Sequence, residues 1–160
     1  MPAFIKMPDI DGESEEQNHE KWIKVESVSL PIYRSITEGA TGAHRRSGET
    51  TLADVHIAKN ADSSSPKLAE SVANGVHMDE VVIHMCSTIN NVNVVNLEIK
   101  LSDVIMSSYS FSGTGDQNPP PIESITMNYT EVEWTYKKFD RMGAEAGNFP
   151  AKYSTEAAAT

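Results

Sequence analysis

The chain has 160 residues, of which 39% are hydrophobic and 22% are charged, a composition typical of a single globular domain with its own core. Its net charge of −10 argues against nucleic acid or an anionic membrane surface as a partner, because such surfaces require clustered lysine and arginine. The single cysteine, Cys86, excludes an internal disulfide, and no stretch approaches the length of a transmembrane helix.

The first predicted elements are strands over residues 3–7 and 22–30, joined through the segment DIDGES at residues 9–14. Acids in this segment suggest an EF-hand loop, but its glycine stands at position 4 of the loop instead of position 6. The flanking segments also have the pattern of strands instead of helices. The sequence therefore favours a turn over a calcium site.

A long irregular segment, residues 31–49, precedes a predicted strand over residues 50–59, and an uncovered loop of such length is usually functional or disordered. One helix follows, at about residues 66–74. Ser65 is suited to the N-cap, Pro66 to the first helical position and Gly75 to a left-handed stop. Leu68 with Val72, and Ala69 with Ala73, form a narrow apolar stripe.

The second half of the sequence alternates between polar and apolar residues. Strands are predicted over residues 80–86, 95–101 and 104–113, and the last two are expected to be adjacent antiparallel strands separated by a Ser-Asp break. Residues 123–137 contain a one-residue shift of the apolar phase, which predicts a β-bulge near Thr130 and Glu131. Periodicity ends after residue 139, so we expect residues 140–160 to form a flexible tail.

Groups that could support chemistry are sparse. His84 and Cys86 are two apart on a predicted strand and would face the same side, as in a soft-metal site or a thiolate–base pair. Neither has a companion at ligand spacing, and no nucleotide-binding or nucleophile-elbow motif is present. The sequence predicts no catalytic, cofactor-binding or metal-binding residue, and we expect that the protein is not an enzyme.

Five segments in order resemble the Hcp (haemolysin-coregulated protein) family, the tube protein of the bacterial type VI secretion system. They are FIKMPDIDGES, HEKWIKVESVS, SSSPKLAESVANG, IKLSDVIMSSYSFSGTGD and ESITMNYTEVEWTY. The resemblance covers about residues 4–136. It implies a mainly β fold, a two-sheet antiparallel β-barrel with the short helix on its side, forming a domain over residues 1–139 with the tail at 140–160.

The resemblance also implies an assembly. Rings of six subunits stack into a tube inside a contractile sheath, together with a baseplate and a spike protein of the VgrG type, and the rings carry effector proteins. The protein would fold in the cytoplasm and be exported without a cleaved signal peptide. By resemblance, Ser27 and Ser29 are candidate contacts to cargo in the ring lumen. The candidate ring-stacking loop contains Arg34, Thr41, Gly42, His44, Arg45 and Arg46.

Two other functions remain open at this point. A monomeric β-barrel could bind a small apolar ligand in its interior, which predicts a solvent-accessible cavity. An enzyme could use His84 and Cys86, which predicts that Cys86→Ser abolishes an activity.

Overall fold

The computed structural model describes residues 2–36, 47–116 and 120–155. Over these residues the chain is mainly β with one short helix, as predicted, and none of the described helical residues form a segment long and apolar enough to cross a membrane. The elements in chain order are β1 Ala3–Lys6, β2 Ile23–Val25, β3 Ser27–Ser29, β4 Ile32–Ile36, β5 Ser47–Leu52, β6 Val55–Asn60, α1 Ser65–Asn74, β7 His77–Ile89, β8 Val92–Ser112, β9 Ile122–Asn128, β10 Glu131–Phe139 and β11 Glu145–Ser154.

Nine of these strands form one antiparallel sheet, and β4 and β5 form a separate two-stranded ribbon. The main path of the sheet runs β2-β1-β7-β8-β9-β6-β3, with β10 and β11 branching from β8. Its two end strands, β2 and β3, are separated in the chain by Glu26 alone, whose N–H donates to the carbonyl of Ala58 at 2.8 Å. One extended segment therefore joins the two end strands of the sheet, which curls back toward itself in the manner of the barrel that the resemblance implies.

The core lies on the inner face of this curled sheet. Alternate residues of β7 and β8 point inward, so that Val81 pairs with Leu101 and Ile83 with Ile99, and all four side chains are buried. The remaining inward positions on β1, β2, β6 and β9 are filled mostly by isoleucine, valine and methionine. Period-2 alternation thus produces one apolar face that encloses itself when the sheet closes.

The helix α1 begins and ends near the predicted residues. Pro66 occupies the first turn and Gly75 adopts the left-handed conformation with φ 64°, as expected for a C-terminal stop. The N-cap, however, is Ser64 instead of Ser65, and its side chain makes no capping hydrogen bond. The face turned toward the sheet contains Leu68, Ser71 and Val72, whereas the predicted stripe residue Ala73 is exposed.

The prediction of two separate strands over residues 95–101 and 104–113 is wrong. Both belong to β8, a single strand of 21 residues, and β7 pairs with it on both sides of the expected break. Asp103 has φ 58°, and there β8 exchanges its neighbour on the other side, from β10 to β9. The Ser-Asp pair marks a change of partner, which a one-dimensional pattern cannot distinguish from a turn.

The predicted irregularity near Thr130 and Glu131 is present as a break between strands instead of a bulge within one. β9 ends at Asn128 and β10 begins at Glu131, so that Tyr129 and Val132 are both buried despite the phase shift. The Thr130 N–H donates to the carbonyl of Ser102 at 3.2 Å and continues the contact with β8.

Residues 145–154 correct the expectation of an unstructured tail. They form β11, which pairs with β10 from Glu131↔Ser154 to Phe139↔Glu145. Because β11 packs little of either face on the core, its sequence lacks the alternation that identifies a half-buried strand. Backbone pairing to β10 defines this strand.

The segment DIDGES leads into a close backbone approach. The tight turn lies slightly earlier, where Met7 bridges Ile10 and Asp9 has φ 61°. Gly12 instead donates its N–H to the Lys21 carbonyl at 2.7 Å, and a Cβ at this position would lie 2.4 Å from the Trp22 carbonyl oxygen. Glycine is required here for lack of space and not for a positive φ.

Candidate interaction surfaces

Ser27 and Ser29 of β3 are exposed and belong to a wider polar surface on the outside of the curled sheet. Two rows of paired residues begin at these serines and continue across β6, β9 and β8. The residues of a row lie on the same face of the sheet, because directly paired residues share a face. One row contains Ser27, Ala58, Ser124 and Ser110, and the other contains Ser29, His56, Thr126 and Ser108. We call these eight residues the hydroxyl surface.

Hydrogen bonds hold one end of the hydroxyl surface in place. The hydroxyl of Thr126 lies 2.7 Å from that of Ser107 and 2.6 Å from that of Ser108. Ser107 and Asn128 donate to the two carboxylate oxygens of Asp54 at 2.6 and 3.0 Å. These hydrogen bonds lower the pKa of Asp54, so this end of the surface carries a fixed negative charge.

The ribbon formed by β4 and β5, which we call the arm, has a different character. Three of its larger apolar side chains are exposed in the single chain: Ile32 by 41%, Tyr33 by 60% and Ile36 by 49%. A two-stranded ribbon is marginal in water by itself. The arm therefore presents apolar surface that the barrel does not cover.

The predicted stacking residues fall mostly outside the described part of the chain. Arg34 lies on β4, exposed and paired in register with Thr50 of β5. Thr41, Gly42, His44, Arg45 and Arg46 lie in the segment 37–46, outside the described residues.

His84 and Cys86 do not form the thiolate–base pair considered from the sequence. The register of β7 shifts between Met85 and Cys86. His84 contacts Glu98 with Nε2 at 2.7 Å and His19 with Nδ1 at 2.9 Å. Cys86 is fully buried, and burial raises the pKa of its thiol to about 11. The thiol is protonated at neutral pH, which disfavours it as a nucleophile.

His19 belongs to the same site as His84, although the sequence placed it in a turn. It is 1% exposed, stacks on Phe4 with ring centroids 4.4 Å apart, and contacts the edge of Trp22 at 4.8 Å. Its other nitrogen contacts the carboxylate of Glu16. Sequence reasoning missed this cluster because 65 residues separate the two histidines.

A second cluster of polar side chains is centred on the buried residues Lys59 of β6 and Glu123 of β9. The ammonium of Lys59 donates to Glu123 at 2.7 Å and to Asp62 at 3.1 Å, and the Tyr109 hydroxyl donates to Glu123 at 2.6 Å. Burial raises the pKa of Glu123, but hydrogen bonds from Lys59, Ser65 and Tyr109 outweigh that effect and lower it. The pair is ionised and internally compensated.

Two surface clefts of about 340 Å³ each are lined largely by charged residues. One includes Glu13, Lys24, Glu26 and Asp62, and the other lies beside Trp22, His84 and Glu98. The first cleft has a mainly polar lining, whereas the second, which also includes Val82, presents more apolar than polar surface. Within residues 2–36, 47–116 and 120–155, His, Cys, Asp and Glu do not gather in groups of three or more that could hold a metal ion.

Comparison with known proteins identifies the family. The family described as type VI secretion system effector, Hcp, matches residues 4–136. Protein hcp1 of Pseudomonas aeruginosa is 29% identical over 150 residues, which cover 94% of this chain and 91% of that protein.

Solved structures agree with this match. A type six secretion system protein superposes with a TM-score of 0.91 at 26% identity, covering 98% of this chain and 96% of the other. Hcp1 from Salmonella typhimurium has the same fold, with a TM-score of 0.77 at 24% identity and coverage of 98% and 95%. The chain belongs to the Hcp family of type VI secretion system proteins.

Proposed function

We propose that the protein is a structural subunit of the type VI secretion inner tube, forming hexameric rings that stack, are exported and carry effectors in the lumen. The observation that carries this proposal is the similarity over nearly the whole length of both chains to a type six secretion system protein, at a TM-score of 0.91. The partners are then further copies of the chain, a spike protein of the VgrG type, the sheath, the baseplate and effector proteins.

The geometry of a ring requires two different patches on each subunit. A head-to-tail contact closes only when its rotation divides a full turn, and the two sides of such a contact are unlike. The arm supplies an apolar patch that extends beyond the barrel, with Ile32, Tyr33 and Ile36 exposed. Burying it against a neighbour would remove apolar area from water and stabilise a ribbon that is weak alone.

Stacking of one ring on the next involves the connection between β4 and β5. Arg34, Thr41, Gly42, His44, Arg45 and Arg46 are the residues proposed for this contact. Their support is that they lie in the sequence on β4 or between β4 and β5, and that they include two adjacent arginines in an otherwise acidic chain. Positive charge here would attract an acidic surface of the next ring.

The hydroxyl surface is proposed to line the lumen, with Ser27 and Ser29 as cargo contacts. The side chains along its two rows are small and mostly uncharged. Short hydroxyls offer hydrogen bonds in either direction without deep apolar pockets. Such a lining suits weak, varied contacts with several cargo proteins, because tight binding to one would oppose release.

The protein is not proposed to be an enzyme. Cys86 is buried and protonated, and both ring nitrogens of His84 are hydrogen-bonded within the cluster. Folding takes place in the cytoplasm under this proposal, and export follows without a cleaved signal peptide. Cys86→Ser should accordingly leave export unchanged in a secretion assay. If Cys86 were catalytic, the same substitution would abolish an enzymatic activity.

The first test is the solution mass measured by light scattering behind a sizing column over a concentration series. A mass of six subunits, with a central hole in negative-stain images, supports the ring. A monomer at every concentration contradicts self-assembly and favours the ligand-binding barrel.

The lumen assignment is tested by labelling single cysteines in a Cys86→Ala background. Ser29→Cys would face the lumen, and Glu80→Cys on the exposed part of β7 is the matched control. A small maleimide should label both, whereas a maleimide on a large polymer should label Ser29→Cys far more slowly. Equal rates with the large reagent contradict the assignment.

A further inference from the structure

A chain of hydrogen bonds crosses from the loop before β2 to the outer face of the sheet. Its members are Glu16 and His19 on the loop, His84 on β7 and Glu98 on β8. Glu16 contacts His19 Nδ1, His19 Nε2 lies 2.9 Å from His84 Nδ1, and His84 Nε2 lies 2.7 Å from Glu98 Oε2. We call these four residues the histidine relay.

The relay contains three hydrogen bonds, and each requires one proton between its two heavy atoms. A neutral imidazole carries one N–H, and an ionised carboxylate carries none. Two neutral histidines therefore supply two protons for three bonds. The geometry is satisfied only when the four groups together hold one additional proton.

The surroundings indicate where that proton lies. Burial lowers the pKa of His84, although its hydrogen bond to Glu98 acts in the opposite direction. Burial raises the pKa of Glu98, but the hydrogen bond from His84 and the charges around it outweigh burial and lower it. A neutral His84 beside an ionised Glu98 donates its Nε2 proton to the carboxylate and accepts from His19 Nε2. The third proton then belongs to the bond between Glu16 and His19.

Several other charged groups of the described residues lie near the relay, and one of them is Glu80 on β7, which lines the same cleft as His84 and Glu98. The ammonium of Lys100 on β8 lies 3.6 Å from the carboxylate of Glu98. The positive charge of Lys137 on β10 lowers the pKa of both His84 and Glu98. On β1, the ammonium of Lys6 lies 6.0 Å from the centre of the Trp22 ring. Cys86 on β7 experiences the charge of Glu16 but carries none itself. None of these residues donates the missing hydrogen bond to His19.

The loop depends on this relay for much of its attachment. Phe4 stacks on one face of the His19 ring, and Trp22 packs against His84 with ring centroids 4.6 Å apart. At the other end of the loop, Glu13 accepts a hydrogen bond from the Ser63 N–H at 3.1 Å. If the additional proton is lost, the Glu16 carboxylate faces a lone pair of a buried imidazole, which costs free energy.

We propose that the histidine relay is a proton-binding site, in which one proton beyond those of two neutral imidazoles fastens residues 11–22 to the outer face of the sheet. Above the ordinary histidine pKa of about 6.5 the imidazoles of the unfolded chain are neutral, so a folded chain that keeps the relay intact binds one proton more than the unfolded chain. By linkage, its stability falls as pH rises through the range where the relay releases that proton. The site does not depend on the proposed function.

The test compares wild type with Glu16→Gln by urea unfolding, followed by tryptophan fluorescence between about pH 7 and pH 9. The amide of glutamine donates a permanent N–H to His19 Nδ1, so it replaces the additional proton and keeps the relay, but it loses the exposed hydrogen bond that Glu16 Oε2 accepts from the Asn18 N–H at 3.1 Å. At full linkage the ratio of folded to unfolded wild type should fall about tenfold per pH unit. The Glu16→Gln variant should lack this dependence.

Controls keep the test specific. Asp79→Asn removes an exposed carboxylate of the same strand β7 that does not line the cleft beside His84 and Glu98, and it should retain the wild-type dependence. Protein concentration is held constant, because assembly also affects apparent stability. Parallel pH profiles of wild type and Glu16→Gln would overturn the proposal. If Glu16→Gln does not fold, Glu98→Gln takes its place, since it puts the amide at the other end of the relay, and the same comparison decides.

Discussion

The barrel and the arm are both antiparallel β-structure, but the barrel encloses a continuous apolar core, whereas the arm contributes Leu52 to that core and leaves three of its larger apolar side chains exposed. In the barrel, residues such as Val81 and Leu101 are fully buried on the inner face of a sheet that closes on itself. In the arm, Ile32, Tyr33 and Ile36 are exposed in the single chain. The barrel can therefore fold by covering its own apolar surface, whereas the arm needs another surface to cover it.

This difference indicates that the barrel determines the stability of the subunit, whereas the arm contributes to assembly. Substitutions in the barrel should reduce the free energy of unfolding of the subunit, because they remove contacts already made within it. Substitutions in the arm should leave that free energy nearly unchanged and weaken assembly. Variants of the two regions test this division, and they differ in their expected effect on the free energy of unfolding.

Breaking the buried ion pair should have the largest effect. Lys59→Met leaves Glu123 buried without its cation, and breaking such a pair typically costs about 3–5 kcal/mol of unfolding free energy. Urea unfolding measures the loss. The double variant Lys59→Met/Glu123→Gln removes the uncompensated charge and should recover part of it. Equal losses in the single and double variants would contradict this account.

A cavity on the inner face of the sheet should reduce the free energy of unfolding slightly less than breaking the ion pair does. Leu101 is fully buried opposite Val81, and Leu101→Ala should lower the free energy of unfolding by about 2–5 kcal/mol. The matched control is Ile36→Ala on the arm, measured by the same urea titration. A similar loss in both variants would show that the arm packs on the barrel as tightly as the core does.

Acidification should destabilise the barrel through His84. Burial lowers the pKa of this imidazole below the ordinary histidine value of about 6.5, so the unfolded chain binds a proton that the folded chain resists. This contribution to stability is present above about pH 6.5 and is lost as pH falls. Thermal unfolding between about pH 7 and pH 5 measures it. His84→Gln should weaken the dependence, and an unchanged profile would refute the assignment to His84.

The arm should show the smallest effect on folding and a clear effect on assembly. Ile32→Ser/Tyr33→Ser/Ile36→Ser replaces three exposed side chains, each expected to change the free energy of unfolding of the subunit by no more than about 0.5 kcal/mol. Light scattering should show a smaller mass than wild type at equal concentration. An unchanged mass would place the assembly contacts elsewhere.

Local signals in the sequence were reliable where a single residue type determines the backbone conformation or hydrogen bonding. Pro66 and Gly75 mark the two ends of α1, because one lacks an N–H and the other tolerates a left-handed conformation. The alternation in β9 correctly placed Ile125 and Met127 on one buried face. The phase shift near Thr130 located the junction of β9 and β10.

Long-range pairing limited the prediction elsewhere. The polar pair Ser102 and Asp103 looked like a break, but β7 continues alongside it and makes β8 a single strand. Residues 145–154 lacked any pattern because backbone hydrogen bonds to β10, and not side-chain burial, hold them in the sheet. The stacking residues 41–46 and the lumen role of Ser27 and Ser29 stay predictions.

The sequence by itself determined the β class, the single helix, the strands with one apolar face and the family resemblance, because these depend on short-range periodicity and on motifs read in order. Only the tertiary structure decided how Ser27 and Ser29 join a surface spanning four strands, and how Glu16, His19, His84 and Glu98 form one relay. The physical reason is that register and loop docking bring together groups as distant in the sequence as Ser27 and Ser124, and no local pattern encodes which of them meet.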